Sequence, residues 1–361
     1  MTTAPLRIGV IGAGFGASVH VPAFQSEGWD VRALWSRGAE RARSAAAGLG
    51  VADVHDDWRA LVARDDLDAV AIATPPAAHR EQVLAALAVG KHVLCEKPFA
   101  LNAAEAAEMR DAAGARGRTA MVAHEFRFAP QRAHVRALLD DGAIGTPQLV
   151  SAELMLGRAA PETPPTATWA AWTADGGGLL GALGSHYIDG FRHWFGDVAT
   201  ASGTLATLRP ERRDPETLAP VRADADDAFS FTLTFDSGVI ATMTASSAVA
   251  PGQGARITVA GSDGVLLVTQ RGPNPEPDGV VLAAKASDRA LAPLEMPERF
   301  RPFEDDRDQR LVAFRLLVRE FERGIRSGVT PAPSFDDALA CQQVLDAIRL
   351  SAREGRRVSL H

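Results

Sequence analysis

The first 123 residues alternate between segments typical of β-strands and segments typical of helices. The strand-like segments are RIGVIG (7–12), DVRALW (30–35), a short segment near 51–54, AVAIAT (69–74), HVLCEK (92–97) and TAMVA (119–123). Helical segments of roughly ten to fifteen residues lie between them, the usual length of a crossover helix. This alternation predicts a doubly wound α/β domain with a parallel sheet.

After residue 124 the pattern becomes that of an antiparallel sheet. Apolar and polar residues alternate between 227 and 269, interrupted by the turn sequences DSG, PGQG and SDG. Two helical segments, 308–327 and 335–353, follow. We therefore expect a second domain of the α+β class.

Composition argues against several classes of partner. The formal net charge is −7 with acids and bases interleaved, which disfavours nucleic acid or an anionic membrane. Cys95 and Cys341 lack the spacing of metal ligands, so no metal is expected. No apolar run is long enough to span a bilayer, and the first residues do not resemble a signal peptide. We expect a cytoplasmic protein that acts on a small molecule.

The sequence GAGFGA (12–17) stands between the first strand and a helix. It fits the dinucleotide-binding pattern G-x-G-x-x-G/A, with Gly12, Gly14 and Ala17 at the small positions. The first glycine permits a tight bend, the second lets pyrophosphate approach the backbone, and the third small residue allows close helix–strand packing. We expect Gly12, Gly14, Phe15 and Gly16 to contact the cofactor. The alternative is a glycine-rich turn that binds no nucleotide.

The end of the second strand predicts which dinucleotide is bound. A carboxylate there would bind both ribose hydroxyls of NAD. The chain instead has Ser36 and Arg37, a hydroxyl and a guanidinium that suit the 2′-phosphate of NADP. We expect NADP, with NAD as the second choice. In the alternative interpretation, Ser36 caps the next helix and Arg37 points to solvent.

Three further motifs follow the glycine turn in order: TPPAAH (74–79), CEKPFA (95–100) and GGGLLGALGSHYID (176–189). In this combination the chain resembles, over essentially its whole length, the Gfo/Idh/MocA family of NAD(P)-dependent oxidoreductases. The resemblance implies a Rossmann domain over 1–124. It also implies a substrate-binding and oligomerisation domain over 125–361, with a large, open, mostly antiparallel sheet through which a homodimer or homotetramer forms.

The resemblance assigns the catalytic roles to Lys97 and His186. Oxidation of a secondary alcohol needs a group that titrates near neutral pH to remove the hydroxyl proton, which suits His186. A cation that stabilises the developing alkoxide suits Lys97, one of only three lysines among 38 basic residues. The alternatives are a structural core histidine and a surface lysine before a turn proline. The Lys97–Pro98 bond is a candidate for the cis form.

The same resemblance implies further cofactor contacts. Thr74 and Pro75 match a segment along the nicotinamide ribose, and His79 matches the histidine of that motif. Glu96 and Lys97 are placed beside the cofactor. His79 alternatively caps or packs, and Glu96 alternatively binds nearby backbone.

In one position the chain departs from the family pattern. The family commonly has aspartate four residues before the histidine, where this chain has Ala182. On a helix these two positions share a face. Loss of that polar contact predicts a pocket less suited to a fully polar cyclitol.

Four residues are expected near the substrate. Asp189 follows His186 by one turn and would hold its ring or a substrate hydroxyl, or else satisfy nearby backbone. Glu125 and Arg127 match a family region near the substrate, although an interdomain ion pair would look the same. Trp172 is expected to wall the pocket, or else simply to pack.

Together these observations predict hydride transfer between nicotinamide C4 and a secondary alcohol or ketone of a sugar, cyclitol or related compound. Two alternatives remain. One is an NAD-dependent glycoside hydrolase that uses transient oxidation. The other is a catalytically silent NAD(P)-binding regulator, which the alanine at position 182 keeps open.

Overall fold

The computed structural model describes residues 4–157, 164–249 and 251–360. Within these ranges the chain divides into two units. The first contains the chain up to Glu125 together with Asp305–Leu339, and the second contains Phe126–Glu304 and the residues from Ala340 onward. No helix in the described ranges is long and apolar enough to cross a membrane.

The first unit is built around a parallel sheet, which has six strands among the described residues. The strands are β1 (Arg7–Ile11), β2 (Asp30–Trp35), β3 (Asp53–His55), β4 (Ala69–Ile72), β5 (His92–Cys95) and β6 (Ala120–Val122). The helices are α1 (Val21–Ser26), α2 (Ala39–Leu49), α3 (Trp58–Val62), α4 (His79–Ala88) and α5 (Ala103–Arg116). A π-helical turn, Gly16–His20, runs directly into α1.

The strand order is β3-β2-β1-β4-β5-β6. The order reverses at β1, which pairs with β2 on one side and β4 on the other. Every residue of β4 is buried, as expected for a strand in a parallel sheet covered on both faces. The predicted doubly wound sheet is confirmed, and ligands of such sheets bind where the order reverses.

The second unit begins with α6 (Pro130–Asp140), β7 (Pro147–Gly157) and α7 (Ser185–Phe195), the last preceded by a π-helical turn, Leu180–Gly184. The strands β8 (Val198–Ala206), β9 (Glu211–Arg213), β10 (Pro220–Arg222), β11 (Ala228–Phe235), β12 (Ile240–Val249), β13 (Gly254–Gly261), β14 (Gly264–Gln270), β15 (Val281–Lys285) and β16 (Ala292–Pro293) follow.

The chain then returns to the first unit through α8 (Leu311–Ser327). Helix α9 (Phe335–Glu354) begins in the first unit and ends in the second, where β17 (Val358–Ser359) completes the secondary structure. The sequence assigned everything after residue 124 to the second domain, whereas Asp305–Leu339 lies in the first unit. Aromatic packing explains this difference. Phe314 of α8 lies 4.4 Å from the ring of His20, and Phe321 stacks on Trp29 at 5.8 Å.

In the second unit the described strands form a nine-stranded sheet with the order β16-β15-β14-β13-β7-β12-β11-β8-β17, and β9 and β10 form a separate two-stranded sheet. The β7–β12 pair is parallel and the other pairs of the large sheet are antiparallel, which confirms the expected mostly antiparallel architecture. In β11, Phe229, Phe231, Leu233 and Phe235 are buried, because alternate residues of a strand point to the same face.

Candidate active site

The glycine turn after β1 is shaped by two close approaches and one exposed glycine. Gly12 has φ +119°, and a Cβ there would lie 2.4 Å from the carbonyl oxygen of Ala73, so only glycine fits. Gly14 is exposed, which leaves its backbone accessible. A Cβ at Gly16 would lie 2.9 Å from Val10 Cγ1. The close approach of helix to strand therefore falls at Gly16, one residue before the alanine to which the sequence assigned it.

This turn fits a dinucleotide. It lies at the carboxyl end of β1, where the order of the sheet reverses. The helical segment that starts at Gly16 continues through α1 to Ser26, so its amino terminus presents partial positive charge to a phosphate group. Phe15 beside it is half-buried, with the guanidinium of Arg310 5.0 Å from its ring.

Two polar residues, Ser36 and Arg37, directly follow β2. Ser36 is half-buried and Arg37 is exposed. The residue that caps α2 is Gly38, without a side-chain hydrogen bond, so Ser36 does not cap that helix. The guanidinium of Arg41 lies 3.8 Å from a Cβ position on Gly14, beside the turn. Sequence reasoning missed Arg41, because an arginine in the first turn of α2 carries no local signal that it lies beside Gly14.

The motif after β4 is held together by His79. The ring is fully buried, with Nε2 2.8 Å from the carbonyl oxygen of Thr74 and Nδ1 3.1 Å from that of Phe99. Burial lowers the pKa of His79, although these carbonyl contacts oppose the shift. The hydroxyl of Thr74 donates to Oε1 of Gln82 at 2.7 Å. His79 thus ties the loop of Thr74 and Pro75 to the loop after Lys97.

Lys97 follows β5 on a turn braced by Glu96. One carboxylate oxygen of Glu96 lies 2.9 Å from Nε2 of His20, and the other accepts a hydrogen bond from the Lys97 backbone amide at 3.1 Å. Burial would raise the pKa of Glu96, but the hydrogen bond from His20 and the charges of His20 and Lys97 outweigh burial and lower it. The Lys97–Pro98 peptide bond is cis, as expected.

A second buried carboxyl belongs to the same cluster. Glu125 lies just beyond β6, with 3% of its surface exposed. Burial and the charge of Glu96 raise its pKa to about 8, while Lys97 and Arg310 act in the opposite direction. Glu125 therefore holds a proton at neutral pH while Glu96 is ionised.

In the second unit, His186 lies in the first turn of α7 and is buried. Its ring stacks on Phe126, with 3.8 Å between centroids and 10° between planes. This stack fixes the plane of the imidazole. Sequence reasoning missed Phe126, because a single phenylalanine carries no pattern that points to a partner 60 residues away.

A buried ion pair lies one turn beyond His186. Arg127 donates two hydrogen bonds to Asp189, at 2.7 and 2.6 Å, and the side chains are 5% and 1% exposed. The sequence placed both residues at the substrate. In the structure each carboxylate oxygen of Asp189 accepts from Arg127, so the pair anchors α7 to the turn that carries Phe126.

The glycine run before α7 is a packed segment. A Cβ at Gly177 would lie 2.7 Å from the carbonyl oxygens of Trp169, Ala170 and Trp172. Trp172 is half-buried and packs on a small cluster formed by Ala167, Ala171 and Ala223. This observation supports a packing role for Trp172. The glycines therefore allow close backbone packing and do not form a hinge.

The structure thus groups the predicted residues by unit. The glycine turn, Thr74, Glu96, Lys97 and Glu125 follow the carboxyl ends of strands in the first unit, whereas Arg127, His186 and Asp189 lie together in the second. Within the described ranges, no group of three or more His, Cys, Asp or Glu side chains could hold a metal ion.

Comparison with known proteins gives two family matches. Residues 6–124 match the model of the oxidoreductase family with an NAD-binding Rossmann fold, and residues 133–267 match that of the GFO/IDH/MocA C-terminal domain. An uncharacterized oxidoreductase of Synechocystis sp. is 31% identical over 100% of this chain and 98% of its own length.

Two functionally described proteins are also similar. D-xylose 1-dehydrogenase (NADP(+)) 2 of Haloferax volcanii is 28% identical, with 98% of this chain and all of that protein covered. The solved structure of a levoglucosan dehydrogenase in complex with NADH and levoglucosan is 25% identical, with 99% of this chain and all of that chain covered at a TM-score of 0.88. The chain belongs to the Gfo/Idh/MocA family and is an NAD(P)-dependent dehydrogenase or reductase that acts on CH–OH groups.

Proposed function

We propose that this enzyme oxidises a secondary alcohol of a sugar, or reduces the matching ketone, with His186 as the acid–base group and Lys97 as its electrostatic partner. The observation that carries the proposal is Lys97 itself. It stands at the carboxyl end of β5, on a turn braced by Glu96, in the same unit as a glycine turn that fits a dinucleotide. The similarity to xylose and levoglucosan dehydrogenases supports a sugar as the substrate class.

The bound nicotinamide would accept or supply the hydride at its C4 position. In the oxidation, His186 takes the proton of the substrate hydroxyl as the carbon–hydrogen bond breaks and the carbonyl forms. Lys97 stabilises the negative charge that develops on the same oxygen. The stack on Phe126 holds the imidazole plane, and the Arg127–Asp189 pair anchors the helix that carries it, so little reorganisation accompanies proton transfer.

We further propose that NADP is preferred over NAD. Ser36 is not used as a helix cap, Arg37 is exposed, and Arg41 stands beside the glycine turn. A hydroxyl and two guanidinium groups favour a 2′-phosphate, whereas a carboxylate in that place would repel it.

Dimers or tetramers would form through the exposed face of the nine-stranded sheet. Leu149 and Ile240 are neighbours in register on β7 and β12, and they are 45% and 42% exposed. Adjacent exposed apolar side chains favour a protein interface. Light scattering of the purified protein at several concentrations would measure the subunit number.

The function is tested by the nicotinamide absorbance of the purified enzyme incubated with NADP or NAD and a panel of aldoses, anhydrosugars and polyols. Net reduction of the cofactor with at least one sugar is the expected result. Release of a sugar product without net reduction would point instead to glycoside hydrolysis. Tight cofactor binding without turnover on any substrate would point to a regulator.

A further inference from the structure

A cavity of about 530 Å³ lies within the second unit. One wall is formed by the glycine run and the following π-helical turn, including Ala182. Ala182 precedes His186 by one helical turn, so the two residues point to similar sides of the helix. Pockets of roughly 300–1,000 Å³ accommodate ligands of drug size. The space beside Ala182 is therefore large for a single small sugar.

Asp226 is fixed in the wall of this cavity. Its Oδ2 accepts a hydrogen bond from the amide of Leu180 at 2.8 Å, and its carbonyl oxygen accepts one from the amide of Leu179 at 2.8 Å. A Cβ at Gly178 would lie 2.1 Å from Oδ1, and Gly178 has φ +106°. Part of the glycine run therefore serves to admit this carboxylate, 44 residues after position 182.

The other oxygen of Asp226 is an available hydrogen-bond acceptor. Across residues 4–157, 164–249 and 251–360, no donor forms a hydrogen bond with Oδ1. Burial raises the pKa of Asp226 to about 6, against the hydrogen bond from Leu180 and the charge of Arg349. The carboxylate is therefore mostly ionised at neutral pH, and a ligand hydroxyl that donates to it forms a charge-assisted hydrogen bond.

Arg212 also lines this cavity. Its Nη1 donates to the carbonyl oxygens of Arg209 and Glu211 at 2.5 and 2.8 Å, which orients the guanidinium. The remaining wall mixes hydroxyl-bearing and apolar side chains, among them Thr166, Thr168, Ser247, Leu156, Leu179 and Leu183. Sugars present hydroxyls that both donate and accept, together with apolar C–H faces, and this wall matches both.

We propose that the cavity is a subsite for the part of the substrate remote from the oxidised carbon, so that the preferred substrate is a disaccharide or other glycoside. Asp226 and Arg212 bind hydroxyls of the second ring, and the small side chain of Ala182 leaves room for it. The inference rests on the proposed oxidation of sugars by this enzyme. It also explains what replaces the aspartate common at position 182: a carboxylate from a distant loop, set back to enlarge the site.

The test compares D-glucose with cellobiose and maltose, and D-xylose with xylobiose. We expect kcat/KM for the better disaccharide to exceed that for its monosaccharide by about tenfold or more, the value of one good contact.

Asp226→Asn keeps an acceptor for the Leu180 amide and should raise the disaccharide KM about tenfold with little change in kcat. Ala182→Leu should reduce kcat/KM for the disaccharide at least tenfold more than for the monosaccharide. The matched control is Asp224→Asn, an exposed carboxylate in the same loop that does not line the cavity.

Two results together would overturn the subsite: a kcat/KM for monosaccharides equal to or above that for disaccharides, and equal effects of Asp226→Asn and Ala182→Leu on both substrate classes. The proposed function would remain intact. If no sugar reduces the cofactor, the proposed function fails by itself. Calorimetric titration of cellobiose into the protein then still tests the subsite. Binding that weakens in Asp226→Asn, but not in Asp224→Asn, supports it, and absence of binding rejects it. Circular dichroism of each variant reports whether the fold is retained.

Discussion

The two units hold their reactive side chains in different ways. In the first unit, charged groups hold one another: His20 bonds to Glu96, Glu96 bonds to the Lys97 amide, and Glu125 remains protonated beside them. In the second unit, His186 lies flat on Phe126, and an open cavity begins one helical turn away. Charged groups position the first cluster, whereas the second combines ring stacking, the buried Arg127–Asp189 pair and unfilled space.

From this difference we expect the first unit to bind the cofactor and the second to bind the substrate. A cofactor common to many reactions suits a rigid binding surface in which every buried charge has a partner. A substrate that varies suits a fixed acid–base group beside adjustable volume. If the units differ in this way, substitutions in each unit should affect chemistry, stability and cofactor choice separately.

The largest effect is expected in the second unit. His186→Asn removes the proton acceptor and should lower kcat by roughly 10²–10⁴, the usual contribution of general acid–base catalysis. Steady-state kinetics measures this loss, and fluorescence titration should show nearly unchanged cofactor affinity. His193→Asn, on the same helix, is the control. Full activity of the His186 variant would remove this residue from the mechanism.

The Arg127–Asp189 pair should be the main electrostatic contribution to stability in the second unit. Arg127→Met leaves Asp189 buried and unpaired, so the free energy of unfolding should fall by about 3–5 kcal/mol. Removal of the second charge, in Arg127→Met/Asp189→Asn, should recover part of the loss. Denaturant unfolding measures both. Arg222→Met, which breaks an exposed pair with Glu211, should cost about 1 kcal/mol or less. Equal costs for the two arginines would contradict the prediction.

In the first unit, Lys97→Met should lower kcat/KM by roughly 10²–10³, because a donor to the developing alkoxide is lost. Lys285 is exposed, and Lys285→Met should behave like the native enzyme. Initial-rate kinetics on the best sugar substrate distinguishes the two lysines. A rise in KM alone, with native kcat, would assign Lys97 to substrate binding rather than to stabilisation of the transition state.

Glu125 should make the first unit sensitive to pH. Its pKa rises from 4.5 to about 8 on folding, so the folded state binds a proton that the unfolded state releases. The contribution to stability is complete below about pH 4.5 and is lost as the pH rises toward 8, by at most about 1.4 kcal/mol per pH unit. Denaturant unfolding from pH 5 to 8 should show a shallower decline in Glu125→Gln. The exposed Glu40→Gln is the control, and an identical slope in all three proteins would refute this prediction.

The smallest effect concerns cofactor choice. Arg37→Ala removes an exposed guanidinium and should raise the Kd for NADP by about tenfold, with much less change for NAD. Fluorescence titration with each cofactor measures the ratio. Arg116→Ala, an exposed arginine at the end of α5, should leave the ratio unchanged. Equal weakening for both cofactors would place Arg37 away from the 2′-phosphate.

Much of the first unit could be predicted from local sequence, because its signals are periodic or bound to special backbone. Buried strands read as apolar runs, and Gly12 occupies a bend that only glycine can adopt. The cis form of the Lys97–Pro98 bond could also be suggested from the local sequence, because bonds before proline adopt it most readily. The assignment of Asp305–Leu339 could not be made in this way, because α8 reads as an ordinary amphipathic helix whichever partner it packs against.

The sequence by itself thus determined the parallel sheet, the glycine turn and the family motifs that bring Lys97 and His186 to attention. Only the tertiary structure determined which residues are hydrogen-bonded to each other. Arg127 bonds to a residue 62 positions away, and Leu180 bonds to one 46 positions away. Such pairs carry no period in the chain, because they arise from the packing of whole elements. For that reason the sequence showed only that position 182 lacks a carboxylate, whereas the fold shows that Asp226 and Ala182 line the same cavity.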